Sequence, residues 1–496
     1  MKRYFIVACC LFTIVASSLF AGQTNALVRL NDLTGQQIIN LFENGYDVAK
    51  EGNDFAEVVM TGKQLQTFQN QGYSVEILIP DLDAYIKKVQ AGQTKNARYY
   101  TFDTATEQLK KWAEEYKNIC TLKSIGKSCE NRDIWALKVS DNPQKDEAEP
   151  AALIMGMHHA REWPSVEVPM ATIKKLLEDY ENKQEFKHLV DSREIWFVPI
   201  VNPDGFIYSQ EKSKYWRKNR RDNGDGSYGV DLNRNYGYQW GNTGASSWTS
   251  SNTYHGTGPF SEPEACAIRD FALQEKFQAS ISFHTYSELI LYPFGYGYNA
   301  PNPDEDIFIK MSDKMAEFNR YRPQNSAELY PAMGDSDDYL YGELKVLSFT
   351  FELCSTFIPA ATQIDEVCRL NVPAVLYLID KAGTYGLISP SGSDEVISAL
   401  DFKTAHDAIK DINNLYKESN NIKSRNEVLN KIEKISLRLA ELTVKDLKQG
   451  STEKWNKINE LSQATLVKSF VKTRVLFNNA HGEFYRQDII EQIKNS

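Results

Sequence analysis

Two histidines and a glutamate lie close together at His158, His159 and Glu162, just after the apolar residues 151–155 and Gly156. Such a run reads as a buried strand, and the glycine after it as the point where the chain enters a loop. A histidine and a carboxylate three positions apart suit zinc, which takes nitrogen and oxygen ligands in a tetrahedral site and leaves one position for water. The spacing alone occurs more often in surface or core pairing than at a metal, and it leaves the choice between His158 and His159 open. A third ligand should come from a distant strand end. Of the seven histidines, His284 fits best, because it follows the β-type residues 279–283. His255 lies in a Gly/Pro-rich loop, and His188, His406 and His481 lie in helical or tail contexts. The bland alternative for His284 is a hydrogen-bonded core histidine. Glu352 closes the apolar run 346–351, where an unpaired carboxylate is costly to bury. That leaves it as a general base or as a buried ion-pair partner.

The elements that must position these groups form an alternating pattern. Helix-like stretches at 105–116 and 166–180 are interleaved with apolar strand-like runs at 151–155, 194–200, 279–282 and 346–351, which predicts an α/β domain with a buried sheet. Before it, strand-like runs at 26–30, 55–60 and 75–79 mix with helix-like ones at 35–43 and 62–71, giving a small α+β unit. That unit ends in a polar stretch, 90–98, which holds Lys95 and Arg98 and suits a protease-accessible linker. A removable pro-segment and a permanent accessory domain fit equally well. Beyond Pro390, Ser391, Gly392 and Ser393 the chain turns polar and helical, with apolar stripes at Phe402, Ala405, Ile409, Ile412 and Tyr416 and again from Val428 to Leu442. These stripes pack a helical hairpin more readily than they bind a partner.

The chain has 496 residues, 42% hydrophobic and 25% charged, with a formal charge of -10. Its length calls for more than one structural unit, and its acidity argues against a nucleic-acid partner. Lys2 and Arg3 precede an apolar run, 4–20, with Ala21 as a cleavage residue or a cut nearer Ser17. This pattern predicts export to the periplasm or the medium, with no stable membrane insertion once the leader is removed. A short membrane anchor is the alternative. Removal of residues 1–21 leaves Cys120, Cys129, Cys266, Cys354 and Cys368, so at least one thiol stays unpaired. No Cys-x-x-Cys pair is present, which disfavours a thiolate zinc site.

From about Tyr99 to Leu387 the chain resembles the carboxypeptidase A and B family and its bacterial carboxypeptidase T relatives. Five blocks occur in the family's order: His159-Ala160-Arg161-Glu162; Tyr215-Trp216-Arg217-Lys218-Asn219-Arg220; Asp231-Leu232-Asn233-Arg234-Asn235; His284-Thr285-Tyr286 running on to Tyr292-Pro293-Phe294-Gly295; and Phe349-Thr350-Phe351-Glu352-Leu353. The resemblance implies a mixed, mainly parallel eight-stranded sheet flanked by helices. It divides the chain into a signal peptide (1–21), an α+β pro-segment or accessory domain (22–97), a catalytic domain (98–389) and a helical extension (390–496).

The same resemblance implies one zinc ion on His159, Glu162 and His284, with Asp231 orienting the His159 ring. It makes Glu352 the base acting on zinc-bound water and Arg217 the group that polarises the scissile carbonyl. Asn233 and Arg234 would grip the terminal carboxylate of a peptide or protein, and Tyr330 would close over it. Arg161 and Tyr286 match residues of upstream subsites, while Lys218, Arg220 and Arg221 are expected to be solvated. Asp337 stands where B-type members carry an aspartate, which favours a basic or a dual basic and hydrophobic terminal residue. The alternative is a polar loop with Asp337 facing water. An activating protease is an implied partner. Two rival functions stay open: hydrolysis of cell-wall stem peptides by the same chemistry, and a non-catalytic zinc-containing peptide-binding protein.

Overall fold

The computed structural model describes residues 25–385, apart from 53, 93–98 and 148, together with 434, 435 and 438. The expected leader, the linker around Lys95 and nearly all of the extension from 390 onward lie outside the described residues.

The N-terminal unit runs β1 (Asn25–Asn31), α1 (Gly35–Glu43), β2 (Asp47–Glu51), β3 (Ala56–Thr61), α2 (Gly62–Asn70), β4 (Ser74–Ile79) and α3 (Leu82–Ala91). Its strands pair antiparallel in the order β2-β3-β1-β4. Period-two alternation puts Ala26, Val28 and Leu30 on one face with Val58 and Met60. Ile38 and Leu41 of α1 and Leu65 and Phe68 of α2 complete this core. Helix α2 begins where Thr61 and Gln64 cap each other's backbone N–H groups.

The following domain contains α4 (Phe102–Glu115), β5 (Cys120–Lys127), β6 (Asp133–Val139), β7 (Ala151–Gly156), α5 (Pro164–Asp179), α6 (Gln184–Val190), β8 (Glu194–Val198) and α7 (Pro203–Glu211). It continues with α8 (Pro263–Glu275), β9 (Ala279–Thr285), β10 (Leu289–Tyr292), α9 (Glu305–Asn319), β11 (Arg322–Asn325), α10 (Ser326–Leu329), α11 (Ser336–Gly342), β12 (Leu347–Leu353) and α12 (Ile364–Ala382). The strands form one eight-stranded sheet in the order β11-β10-β12-β9-β7-β8-β6-β5. Its centre, β12, β9, β7 and β8, is parallel, whereas β10 on β12, β6 on β8 and β5 on β6 are antiparallel. The mixed sheet flanked by helices is the architecture that the sequence predicts.

Residues 151–156 are buried throughout, as expected of a strand covered on both faces. Leu153 and Met155 pack with Trp196, Val198 and, from α8, Ile268 and Phe271. Helices α5 and α12 pack against β7 and β9. The chain leaves β7 for β8 on one side and returns with β9 on the other. In open α/β sheets the crevice beyond the carboxyl ends of strands at such a reversal is where ligands bind.

Candidate metal centre and substrate cleft

Strand β7 ends at Gly156, where a Cβ would come within 2.2 Å of Ser165 O and 3.0 Å of Pro199 O. Only glycine fits there. Met157 then adopts φ 58°, and its N–H donates to Ser165 Oγ at 3.0 Å, which in turn donates to Glu162 O at 2.5 Å. This reversal brings His159 and Glu162 over the end of β7, while Pro164 opens α5 with the fixed φ that suits a first helical turn.

His159, Glu162 and His284 meet there. His159 Nδ1 lies 2.9 Å from Glu162 Oε1, and His284 Nδ1 lies 3.0 Å from both Glu162 Oε2 and His159 Nδ1. All three are buried, although the two histidines stand 125 residues apart in sequence. Each ring's other nitrogen is engaged behind it: His159 Nε2 with Asp231 Oδ1 at 3.0 Å and His284 Nε2 with Ser282 Oγ at 3.1 Å. With protons on those Nε2 atoms, two imidazole lone pairs and a carboxylate converge within 4.8 Å of one another. Three acceptors so placed repel one another unless a cation stands between them. Two nitrogens and an oxygen are a zinc donor set with room for water. His158, the neighbour that sequence left as an alternative, is turned away toward Tyr236 and Ser282.

Asp231 ties two further groups to this centre, Asn233 and Arg217. Its Oδ1 accepts from His159 and from the Asn233 N–H at 3.0 Å, and its Oδ2 accepts from Arg217 Nε at 3.0 Å. Burial alone would push this carboxyl up, but Arg217 and His159 overcome it and hold it well below the usual carboxylate range. Burial disfavours the Arg217 cation too, and Asp231, Asp47 and Glu162 more than restore it. Arg217 Nη1 is left 3.7 Å from Glu162 Oε1, facing the same space. Arg234 donates through Nε to Gly244 O at 2.8 Å and through Nη1 to Asn233 O at 2.7 Å. Its Nη2 reaches the hydroxyl of Tyr330 at 3.4 Å. Glu352 lies at the carboxyl end of β12 as the parallel register partner of His284 on β9. Burial and then the Glu162 charge push its carboxyl well above its ordinary value, with Arg217 and Arg234 opposing.

Asp337 is buried in the first turn of α11 rather than facing water. Its Oδ2 accepts from Thr350 Oγ1 at 2.5 Å, while Oδ1 has no hydrogen-bond partner. Neighbouring acids are committed elsewhere. Asp335 caps the Asp338 N–H, and Asp338 accepts from the Gly295 and Tyr296 N–H groups. Burial, reinforced by Asp335, holds Asp337 well above the carboxylate range.

Arg161 and Tyr286 meet the N-terminal unit. Arg161 is fully buried and pairs through both terminal nitrogens with Asp47 of β2, Nη2 to Oδ1 at 2.7 Å, with its guanidinium 4.3 Å from the Phe357 ring centroid. Tyr286 donates its hydroxyl to Glu57 of β3, which also accepts from Arg29 at 2.6 Å. Asn252 adds a bond to Asp47 at 3.1 Å, and Ser251 donates to Gly45 O at 3.0 Å. Tyr330 packs against the N-terminal unit's core as well as against Leu289, Leu291 and Leu329.

The residues flanking Arg217 depart from the solvated state that sequence suggested. Lys218 is buried and donates to Thr249 O at 2.7 Å. Arg220 lies over the rings of Tyr208, Trp216 and Tyr228 at 3.7, 4.7 and 4.7 Å, and Arg221 bonds Glu262 at 2.8 Å. Long basic side chains carry apolar stems that such a wall of aromatic rings can cover. Asp47, Glu57 and Ser282 went unnoticed in the sequence. Only Ser282 carried a signal, since it precedes His284 by two and a strand's period places both on one face. The five described cysteines, Cys120, Cys129, Cys266, Cys354 and Cys368, are all free thiols.

A family model described as zinc carboxypeptidase matches residues 105–374. Among curated proteins, a zinc carboxypeptidase of Saccharothrix mutabilis subsp. capreolus is 36% identical over 361 residues, covering 67% of this chain and 83% of the relative. Carboxypeptidase B of Rattus norvegicus is 31% identical over 296 residues, covering 57% of this chain and 70% of its own. Among solved structures, carboxypeptidase A from Helicoverpa armigera superposes with a TM-score of 0.66 at 24% identity, over 73% of this chain and 98% of that one.

Proposed function

Because this chain belongs to the zinc carboxypeptidase family, and is therefore a zinc-dependent hydrolase acting on peptide C-termini, we propose that it is exported as a precursor and removes single basic or hydrophobic C-terminal residues. The observation that carries this reading is the convergence of His159 Nδ1, Glu162 and His284 Nδ1 beside Glu352 and Arg217. A binding module needs neither of the last two groups.

Zinc held by His159, Glu162 and His284 supplies Lewis acidity, which polarises a carbonyl and makes a water acidic enough to attack near neutral pH. The protein's own groups divide the remaining work. Arg234 and Asn233 hold the substrate's terminal carboxylate, a planar anion that a guanidinium matches with parallel N–H donors. Requiring that carboxylate restricts cleavage to the last bond. Arg217, already fixed by Asp231, turns Nη1 to the carbonyl oxygen as negative charge develops on it. Glu352 takes the proton from the attacking water and delivers it to the leaving amine as the C–N bond breaks. One water is consumed, and Glu352 ends the cycle as it began. Tyr330 closes over the bound residue.

Asp337 gives the pocket its preference. A buried carboxyl with an unpartnered oxygen is costly, and a lysine or arginine side chain offsets that cost. Because the same carboxyl is pushed toward its neutral form, apolar residues are accepted as well. Residues 22–97 act as a pro-segment: Asp47 and Glu57 occupy Arg161 and Tyr286, and Tyr330 is packed against the same unit. Cleavage within the polar stretch around Lys95 and Arg98 releases these contacts.

The test is mass spectrometry of peptides differing only in their last residue (Lys, Arg, Phe, Leu, Glu or an amidated Lys), incubated with the chain from Tyr99 onward, with and without a zinc chelator. Chelator-sensitive loss of one residue from the free acids, fastest for Lys and Arg and absent for the amide, is expected. No cleavage of any peptide by the zinc-loaded protein, or equal cleavage of the amide, overturns the reading.

A further inference from the structure

We infer that Ser282 and His158 are positioning residues for this reaction: together with Tyr236 they form a buried hydrogen-bonded chain that fixes the proton and the ring orientation of His284. The inference rests on the assignment of His284 as a zinc ligand. His284 Nε2 lies 3.1 Å from Ser282 Oγ, Ser282 Oγ lies 3.2 Å from His158 Nδ1, and His158 Nε2 lies 2.8 Å from the Tyr236 hydroxyl. The rings of His158 and His284 lie nearly parallel, 15° apart, with centroids 5.6 Å apart.

The direction of the chain follows from donor and acceptor counting. If His284 Nδ1 offers its lone pair to the cation, its only N–H is on Nε2 and must donate to Ser282 Oγ. The serine hydroxyl has one proton, which then goes to His158 Nδ1. His158 is therefore neutral, carries its proton on Nε2, and donates to Tyr236. Reversing the chain puts a proton on His284 Nδ1, aimed at His159 Nδ1 and Glu162, and blocks the metal position. One ordering of protons is metal-competent and the other is not.

Burial keeps this choice tight. Ser282, His158 and Tyr236 have no solvent exposure and His284 has 1%, so no bulk water can stand in for a lost partner. The two zinc-facing histidines are thus anchored by different means. His159 is held by a carboxylate, Asp231, whereas His284 is held by a neutral chain whose far end, Tyr236, packs against Tyr339 of α11 with centroids 5.9 Å apart. Partners behind a metal-binding histidine fix its tautomer and ring, and losing them costs about 10- to 100-fold in metal affinity or activity.

The experiment compares Ser282→Ala, Ser282→Thr, His158→Phe and His284→Ala in the full chain. It measures zinc affinity by competition with a chromophoric chelator, the visible spectrum of the cobalt-substituted protein, and kcat and KM. Ser282→Ala and His158→Phe should lower zinc affinity about 10- to 100-fold, shift the cobalt bands and lower kcat with little change in KM, while Ser282→Thr restores all three. If His284→Ala loses zinc but Ser282→Ala and His158→Phe keep wild-type affinity and spectrum, even at a lowered melting temperature, the inference is overturned and the ligand assignment stands. If His284→Ala binds zinc as the wild type does, the ligand assignment fails and takes the inference with it.

Discussion

Arg161, in the loop that carries His159 and Glu162, is closed onto Asp47 of the N-terminal unit, with both side chains buried. A buried guanidinium and carboxylate held by two parallel bonds are expensive to separate singly, since each strands the other's charge. On the proposed pro-segment reading, this pairing keeps Arg161 from a substrate while the N-terminal unit stays docked. The uncleaved chain should therefore hydrolyse a C-terminal lysine peptide at least about tenfold more slowly than the form beginning at Tyr99, a difference of about 1.4 kcal/mol or more. Asp47→Ala should raise the activity of the uncleaved chain toward that of the cleaved form. Equal kcat/KM for the uncleaved and cleaved forms would remove the pro-segment reading.

Asp337 is buried with one carboxyl oxygen, Oδ1, left without a hydrogen-bond partner. Replacing it by alanine should cost about 100-fold in kcat/KM for peptides ending in lysine or arginine, because the substrate's cation would be buried without its counter-charge. Peptides ending in phenylalanine or leucine should be cleaved as well as before or better. Parallel assays on the two peptide classes check this, and a uniform loss on both would assign Asp337 to folding rather than selection.

Glu167 accepts the Tyr100 N–H at 2.8 Å, so it anchors the chain just before α4. Burial pushes its carboxyl up to about 8. A folded-state value above the unfolded one means that the folded protein binds the extra proton. Its contribution to stability is therefore complete below the ordinary carboxylate range and is lost as pH rises toward about 8. The wild-type melting temperature should fall relative to Glu167→Gln as pH is raised from about 5 to about 8, because glutamine keeps the acceptor without the titration. Melting curves of the two proteins across that interval decide it; parallel curves would contradict it.

How much of this was legible in the chain differs from feature to feature. The central strands announced themselves because β7, β9 and β12 are buried on both faces and read as apolar runs, and the zinc-facing groups sit where those runs stop. The edges did not. Strand β11, Arg-Pro-Gln-Asn, joins the sheet through backbone pairing with β10, and β2, Asp-Val-Ala-Lys-Glu, lacks a clean alternation. Lys218, Arg220 and Arg221 looked like surface charge because sequence cannot reveal the rings and carboxylates that cover them. Asp47 and Glu57 are ordinary strand residues until the fold sets them against Arg161 and Tyr286, more than a hundred positions away.

We propose that Glu352, set beside His284 by the parallel register of β12 and β9, moves the proton in hydrolysis while zinc is held by other residues. The most direct measurement takes the zinc-loaded Glu352→Gln variant of the form beginning at Tyr99 and records bound zinc, the dissociation constant of a lysine-terminated peptide, and turnover of that peptide. One zinc per chain, near wild-type peptide binding and a kcat lowered by about 10²- to 10⁴-fold are expected. Turnover at the wild-type rate with zinc in place would contradict this role for Glu352.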